Sequence, residues 1–283
     1  MGKVRFPAGS ETGGMEGHMM KIVRSHIPAA LCAIGLAALI PLTGCATSAS
    51  RAQAQLDTKK ARSHLELGID HLQNGRVALS LRDLLIAESL DPKNARIQFV
   101  LAEAYTRKGR IEEAEQHLLR VLELYPPYHD ARLMLSMLYI HSERYEEAIA
   151  QTGMLLDDPT FPGSWRALTN QGWAKFRLGR IPEARRDLEL SLEYKRSYWQ
   201  TLLNLGILEA QEGHRLEAIG FFAEMIELDP RPNAQAEANY RLAELYVSVG
   251  QRERAVGHLV TAVSQAPSGP WGKKSEEYLN LLR

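Results

Sequence analysis

The chain has 283 residues, of which 45% are hydrophobic, 24% charged and 7% aromatic, a composition typical of globular proteins. Its 34 basic residues balance 34 acidic ones, which argues against nucleic acid as the main ligand, because phosphate backbones select a strongly basic face. Of two cysteines, Cys32 and Cys45, only the second follows residue 44, so a signal peptide ending there would exclude a disulfide framework within one mature chain.

The first predicted element is an export signal. Lys21 and Arg24 form a basic region ahead of an apolar stretch, residues 27–42, that two prolines and a glycine interrupt. A membrane span needs roughly 20 apolar residues, so this shorter, broken stretch is predicted to be a signal peptide ending at residue 44. The residues before it are polar and glycine-rich, and we expect translation to start at Met19 or Met20.

The end of the apolar stretch, Leu42-Thr43-Gly44-Cys45, resembles the lipobox of bacterial lipoproteins. The resemblance implies cleavage after residue 44 and an N-acyl diacylglycerol group on the cysteine, an anchor to which each buried methylene contributes about 0.8 kcal/mol. The alternative is an ordinary secretory signal or a membrane anchor that happens to contain a cysteine. Lipoproteins kept in the inner membrane mainly carry aspartate next, so Ala46 favours the periplasmic face of the outer membrane of a Gram-negative bacterium.

Two further segments follow the cysteine. Residues 45–59 are mostly Ala, Ser, Thr and Gln without an apolar period, and they are predicted to be a flexible tether. Residues 60–270 then repeat one pattern six times: a leucine or its equivalent before a small residue, an aromatic place three positions on, a turn, an alanine and a large apolar residue. The small residues, which we call marker residues, are Gly68, Ala102, Ser136, Gly172, Gly206 and Ala243.

The marker residues recur at intervals of 34 to 37 residues, and the pattern resembles tetratricopeptide repeats. The resemblance implies an all-α fold, a right-handed superhelical solenoid of six antiparallel helix pairs that is stabilised by stacking. The amphipathic segment 271–283 is predicted to be a C-terminal capping helix.

No pattern in the sequence indicates catalysis or metal binding. The segment Gly272-Lys273-Lys274-Ser275 differs from a phosphate loop, because serine does not directly follow the first lysine and the upstream glycine is missing. The nine histidines include no His-x-x-x-His pair. We therefore expect no catalytic residue, no metal, no small-molecule substrate and no cofactor apart from the lipid on Cys45.

Function is expected in a groove, because such arrays turn the second, fifth, ninth and twelfth residues of each first helix toward a concave surface. A continuous exposed apolar strip there would mark a partner site, and an amphipathic helix is its simplest ligand. The alternative is that neighbouring helices half bury these side chains and that the flanking arginines form a solvated face. The predicted groove residues are Leu65, Ile69, Leu72, Phe99, Leu133, Met137, Ile140, Trp173 and Phe176, flanked by Arg107 and Arg177.

Lipobox, tether and six repeats together resemble the pilotins, lipoproteins of type IV pilus biogenesis and stability of the PilF, PilW and Tgl group. The segment after the third repeat, residues 157–162 with the sequence Asp-Asp-Pro-Thr-Phe-Pro, is similar to that family's own junction. The resemblance implies a protein that binds the type IV pilus secretin and promotes its outer-membrane localisation or multimer assembly, and hence twitching or gliding motility.

Two residues leave the partner surface of the C-terminal half undefined, and a second function is kept as an alternative. Lys175 and Glu209 occupy the aromatic places of the fourth and fifth repeats, which departs from the pattern in the C-terminal half. The alternative function is a periplasmic scaffold lipoprotein for another cell-envelope complex, such as peptidoglycan hydrolases or an exopolysaccharide export system.

Overall fold

The computed structural model describes residues 43–282, with side chains from Ser48 to Leu282. The predicted signal peptide, including the start at Met19 or Met20, lies almost entirely outside the described residues, and so does the side chain of Cys45. Residues from Ser50 onward form one compact unit, which contains the repeats. Among the described residues no helix combines the length and the apolar character that crossing a membrane requires.

All regular structure within residues 43–282 is α-helical. The thirteen helices of this range are α1 Thr43–Gln73, α2 Val77–Leu90, α3 Ala95–Arg107, α4 Ile111–Leu124, α5 His129–His141, α6 Tyr145–Leu156, α7 Ser164–Arg177, α8 Ile181–Tyr194, α9 Trp199–Glu212, α10 Arg215–Glu227, α11 Pro232–Ser248, α12 Arg252–Gln265 and α13 Pro270–Leu281. Helices α1 to α12 form six consecutive pairs, one for each predicted repeat. The first helices of neighbouring repeats also touch, α5 with α7 and α7 with α9. The predicted solenoid of helix pairs is confirmed.

The marker residues allow the two helices of a repeat to approach closely. A Cβ atom added at Gly68 would lie 2.6 Å from Cγ of Leu84, and one added at Gly206 would lie 2.6 Å from Cε1 of Phe222. Leu84 and Phe222 are themselves fully buried. A close-packed interior gives little room for added atoms, so the small residue is what permits this helix contact.

In the second and sixth repeats the aromatic place packs against the second helix of the pair. In the second repeat Tyr105 stacks on His117, with ring centroids 5.3 Å apart. In the fourth repeat Lys175 takes the tyrosine's place, and its Nζ lies 2.7 Å from Oδ2 of Asp187. Lys175 and Asp187 occupy in the fourth repeat the two places that Tyr105 and His117 occupy in the second. The fourth repeat therefore has an ion pair where the second has a ring stack.

The departure in the fifth repeat also has its own partners. Glu209 is only 2% exposed, and its carboxylate is bound by Arg185 of α8 and by His214, whose Nδ1 lies 2.7 Å from Oε2. A buried carboxylate requires such partners, because its burial alone would be costly. Glu209 therefore helps to join the fourth and fifth repeats.

The structure differs from the predicted flexible tether, because residues 45–59 are helical and belong to α1. The sequence from residue 46 to residue 67 contains neither proline nor glycine and is rich in alanine and glutamine, which favour helix. Gln53 Nε2 also donates to Oδ1 of Asp57, one turn further on, at 2.8 Å. Absence of an apolar period is therefore compatible with an exposed helix as well as with a tether.

Helix α13 covers the end of the last repeat. Leu279 is 6% exposed and packs in one cluster with Ala243 and Leu259 of the sixth repeat. Trp271 contacts the ring of Tyr240, with centroids 5.3 Å apart. The last helix pair therefore has its apolar face covered.

Candidate binding groove

The first helices of the third, fourth and fifth repeats border a cavity of about 620 Å³, which also reaches the turn between the two helices of the second repeat. We call it the central cavity. Its apolar lining includes Met134, Met137, Ile140, Trp173, Trp199 and Leu203. Its volume lies within the range of ligand sites in proteins, and its lining is largely apolar, as in such sites.

Three of the predicted groove residues lie together in this cavity. Met137 is the most accessible of them, with 57% of its surface exposed. Ile140 and Trp173 are half-buried, and the Trp173 ring packs against Phe176 with centroids 5.2 Å apart. An exposed thioether beside a half-buried indole is a surface that an apolar partner can cover.

Two predicted groove residues lie elsewhere in the array. Ile69 and Phe99, in the first and second repeats, are half-buried and do not line the central cavity. The ring of Phe99 stacks on Tyr128, with centroids 5.1 Å apart, so it packs against the chain that leads into α5. These two side chains are outside the cavity that Met137 and Trp173 share.

Four predicted groove residues are core residues, and their assignment to a contact surface is wrong. They are Leu65 at 7% exposure, Leu72 at 4%, Leu133 at 6% and Phe176 at 7%. The cluster around Phe176 includes Leu205 and Leu208 of the next first helix. Leu133 in the fifth place and Phe176 in the twelfth are buried, whereas Phe99 and Ile140 hold the same two places in other repeats and are half-buried. Position alone therefore does not distinguish groove from core.

The two flanking arginines have partners within the fold. Arg107 Nη1 donates to the carbonyl oxygen of Leu72 near the end of α1. Arg177 lies over the ring of Tyr145, 5.0 Å from its centroid, and its Nη2 is 3.6 Å from Oε1 of Glu143. Both arginines therefore connect neighbouring repeats, which corrects the prediction that they mainly flank a ligand.

Sequence reasoning missed Trp199 and three carboxamide side chains of the central cavity, Asn170, Gln200 and Asn204. Trp199 is the first residue of its repeat, and the two asparagines each stand in the sixth place. Apart from the two arginines, the predicted groove residues were apolar residues at the second, fifth, ninth and twelfth places. The signal that would have identified the two asparagines is their recurrence one repeat length apart.

No Asp, Glu, Lys or Arg is among the described side chains that line the central cavity, and His141 is the one imidazole among them. A second cavity of about 810 Å³ lies between the fifth repeat, the sixth repeat and α13, and it shares Trp199 and Leu203 with the first. This C-terminal cavity contains Arg231 and Glu237. Burial raises the pKa of Glu237, an effect that Arg241, 3.2 Å away, opposes. The surface that joins the two cavities thus gains acidic and basic side chains toward the C terminus.

The groups in the central cavity are suited to binding. Carboxamides donate and accept hydrogen bonds without titrating, and indole and thioether groups supply apolar contact. Among the described residues, no group of three or more His, Cys, Asp or Glu side chains is arranged to hold a metal ion. The arrangement supports recognition of a partner by shape and by hydrogen bonds.

The sequence model of the tetratricopeptide repeat family matches residues 65–129 and 161–232 of this chain. No curated protein matches the sequence. Among solved structures, that of PilW, described as a widely conserved type IV pilus biogenesis factor, is 18% identical with a TM-score of 0.66, and the match covers 76% of this chain and 97% of PilW. PilF of Pseudomonas aeruginosa is 17% identical with a TM-score of 0.63, and the match covers 78% of this chain and 99% of PilF.

A protein of different description has the same fold. The Cut9–Hcn1 hetero-tetramer of the APC/C contains a chain that is 16% identical with a TM-score of 0.67, and the match covers 83% of this chain and 46% of that one. Identities this low show a shared fold alone, and the tetratricopeptide solenoid serves many partners. What the groove binds has to be argued from the residues of this chain.

Proposed function

We propose that this tetratricopeptide-repeat protein is an outer-membrane lipoprotein that binds a protein partner in its central cavity and acts as a pilotin for the type IV pilus secretin. In this proposal Cys45 carries the lipid and the repeats carry the binding surface. The protein acts by binding and positioning, with no catalytic step.

The observation that carries the binding role is the exposed apolar surface inside the central cavity. Met137 is 57% exposed where α5 borders the cavity, beside the half-buried indole of Trp173. Apolar surface that is left in contact with water favours association, by roughly 25 cal/mol for each Å² that a partner covers. Because this apolar surface is concave, a partner of complementary shape covers more of it than a flat partner does.

The pilotin role draws support from the sequence. The lipobox ending at Cys45 and the following Ala46 favour the outer membrane, where a secretin assembles, and the segment 157–162 is similar to the pilotin junction. Similar folds in two type IV pilus biogenesis factors, PilW and PilF, are compatible with this role.

A deletion strain tests this function. We expect loss of surface pili and of heat-resistant secretin multimers on immunoblots, and restoration of both by the complete gene. A complementing Cys45→Ala variant should reach normal protein levels in the cell but leave multimers low in the outer-membrane fraction. Normal multimers and normal pili in the deletion strain would contradict the pilotin role and favour a scaffold for another envelope complex.

A further inference from the structure

We infer that the boundary between the fourth and fifth repeats is a hinge, at which the fifth repeat pivots on the fourth about the C-terminal end of α9. The inference concerns the packing between repeats and does not depend on the proposed function. It is carried by three buried hydroxyl groups, which occupy places that are apolar at the other boundaries of the described array.

Three places of the pattern distinguish this boundary from the others. They are the residue three positions before a marker residue, the residue 19 positions after it and the residue five positions before the next marker residue. At four of the five boundaries these places are apolar, and the residues are Leu65, Ala87 and Ile97; Phe99, Val121 and Ala131; Leu133, Leu155 and Ala167; and Leu203, Met225 and Ala238. At the boundary of the fourth and fifth repeats they are Thr169, Ser191 and Thr201, each at most 3% exposed. Hydroxyl groups therefore take the place of apolar core contacts there.

The three hydroxyls form one hydrogen-bonded cluster. Thr169 and Ser191 both donate to the carbonyl oxygen of Trp165, at 2.8 and 2.9 Å, and these bonds stay within the fourth repeat. Oγ1 of Thr201 lies 2.6 Å from Oγ1 of Thr169 and 2.9 Å from Oγ of Ser191. Thr201 belongs to the fifth repeat, so within the cluster only its hydrogen bonds cross the boundary.

Opening the boundary at this cluster leaves its polar groups satisfied. Thr169 and Ser191 keep their bonds to Trp165, and water can replace them as the partner of Thr201, because folding exchanges such bonds with water at little net gain. At the first boundary the same movement would expose Leu65 and Ile97, and exposing apolar surface is unfavourable in proportion to its area. The hydroxyl cluster is thus the place where two repeats separate most easily.

The other end of α9 is held to the fourth repeat. Leu208 packs in one cluster with Phe176, and the buried carboxylate of Glu209 is bound by Arg185 of α8. Glu209 lies about 12 Å along the helix from Thr201, at 1.5 Å for each residue. A boundary that is held at one end of a helix and is easily hydrated at the other permits rotation about the held end. Because α7 and α9 both border the central cavity, this rotation changes the width of the cavity.

Double electron–electron resonance measures this movement on the chain from residue 45 onward, with Cys45→Ala so that spin labels attach only to introduced cysteines. Labels on Glu189→Cys in α8 and Glu227→Cys in α10 span the hinge at exposed positions. Labels on Leu85→Cys in α2 and Glu123→Cys in α4 hold the same two places at the first boundary and are the matched control. We expect the distribution of distances to be about twice as wide across the hinge as across the first boundary, because the stability of a protein against local opening differs from region to region.

Two variants test whether the hydroxyls permit the movement. Thr169→Val, Ser191→Ala and Thr201→Val together replace the hydroxyls with apolar groups of similar size, and they should narrow the hinge distribution to the width of the control. Thr201→Val alone keeps both bonds to Trp165 and should narrow the distribution in the same direction, even if the combined variant does not fold. Circular dichroism measures folding of each variant.

Two results would overturn the inference. Equal widths for the two label pairs in the parent protein would mean that the fourth and fifth repeats are as firmly joined as the first and second. A hinge distribution that stays wide in the folded variants would mean that the hydroxyl cluster is not what permits the movement.

Discussion

The turn between the two helices of a repeat requires one residue in the left-handed backbone region. Five turns place glycine there, with φ between 72° and 85°, but the third places Glu143 there, with φ of 59°. Residues with a Cβ atom avoid this region at a cost of roughly 1–2 kcal/mol. We expect Glu143→Gly to raise the free energy of unfolding by about 0.5–1 kcal/mol, because the exposed ion pair with Arg177 that it loses contributes little.

Urea denaturation measures this change, and Gly109→Ala in the turn of the second repeat is the matched control. That variant should lower the free energy of unfolding, since Gly109 has φ of 76°. Equal stability of Glu143→Gly and the wild type would mean that the third turn is not strained.

The loop after the third repeat is held by one carboxylate. Asp158 accepts hydrogen bonds from the backbone N–H and the hydroxyl of Thr160, and its Oδ2 lies 2.7 Å from Nε2 of His129. The hydroxyl of Thr160 first and His129 second lower the pKa of Asp158 to about 2. A depressed folded-state pKa contributes stability that is present above the ordinary pKa of 3.8 and is lost as the pH falls toward 2.

The wild type should therefore lose more stability between pH 5 and pH 2 than Asp158→Asn does. The measurement is thermal unfolding at several pH values, followed by far-ultraviolet circular dichroism. At pH 5 the variant should be the less stable protein. Parallel pH profiles for both proteins would show that Asp158 does not support the loop.

The leucine before the marker residue contributes very differently to the free energy of unfolding from one repeat to the next. The leucine before the marker residue is at most 2% exposed in the second and fifth repeats, at Leu101 and Leu205, because the second helix of the preceding repeat covers it. Leu67 holds the same place on α1, which follows no earlier repeat, and is 47% exposed. We expect Leu205→Ala to cost about 2–5 kcal/mol and Leu67→Ala less than about 1 kcal/mol in urea denaturation. Similar losses for both would mean that α1 is covered by other parts of the protein.

The fourth repeat offers a test of paired substitution. Lys175→Tyr alone removes the cation that lies 2.7 Å from Asp187, and we expect it to cost about 1–3 kcal/mol. Adding Asp187→His recreates the Tyr105–His117 stack of the second repeat and should recover most of the loss. A double-mutant cycle by thermal unfolding measures the coupling between the two positions. Purely additive effects would contradict the idea that each repeat selects its pair as a unit.

The helix pairs were predictable because their pattern is periodic and local. The marker residues are small for a reason that each repeat contains within itself, as the contact of Gly206 with Phe222 illustrates. The helical state of residues 45–59 was not predictable from the lack of an apolar period, because an exposed helix needs none. Asp187 lies 12 residues from Lys175 and Arg185 lies 24 residues from Glu209 along the chain, and only the packed structure brings these pairs together.

In the repeat array as a whole, the sequence predicts where the groove lies but not which residues line it. Met137, Ile140 and Trp173 were found from their places in the repeat, yet Leu133 and Phe176 follow the same rule and are buried. The difference depends on how far the next repeat covers each side chain, which is a property of the stack. The neutral carboxamides were missed because an apolar strip was the only feature sought.

In the proposed function the central cavity carries the partner-binding surface. A deletion strain that expresses Met137→Glu tests it most directly, with heat-resistant secretin multimers in the outer-membrane fraction as the measurement. Leu216→Glu, at a side chain that is 80% exposed outside the cavity, is the control. With both variants at wild-type protein levels, we expect multimers to fall at least tenfold for Met137→Glu and to stay normal for Leu216→Glu. Normal multimers with Met137→Glu would contradict it.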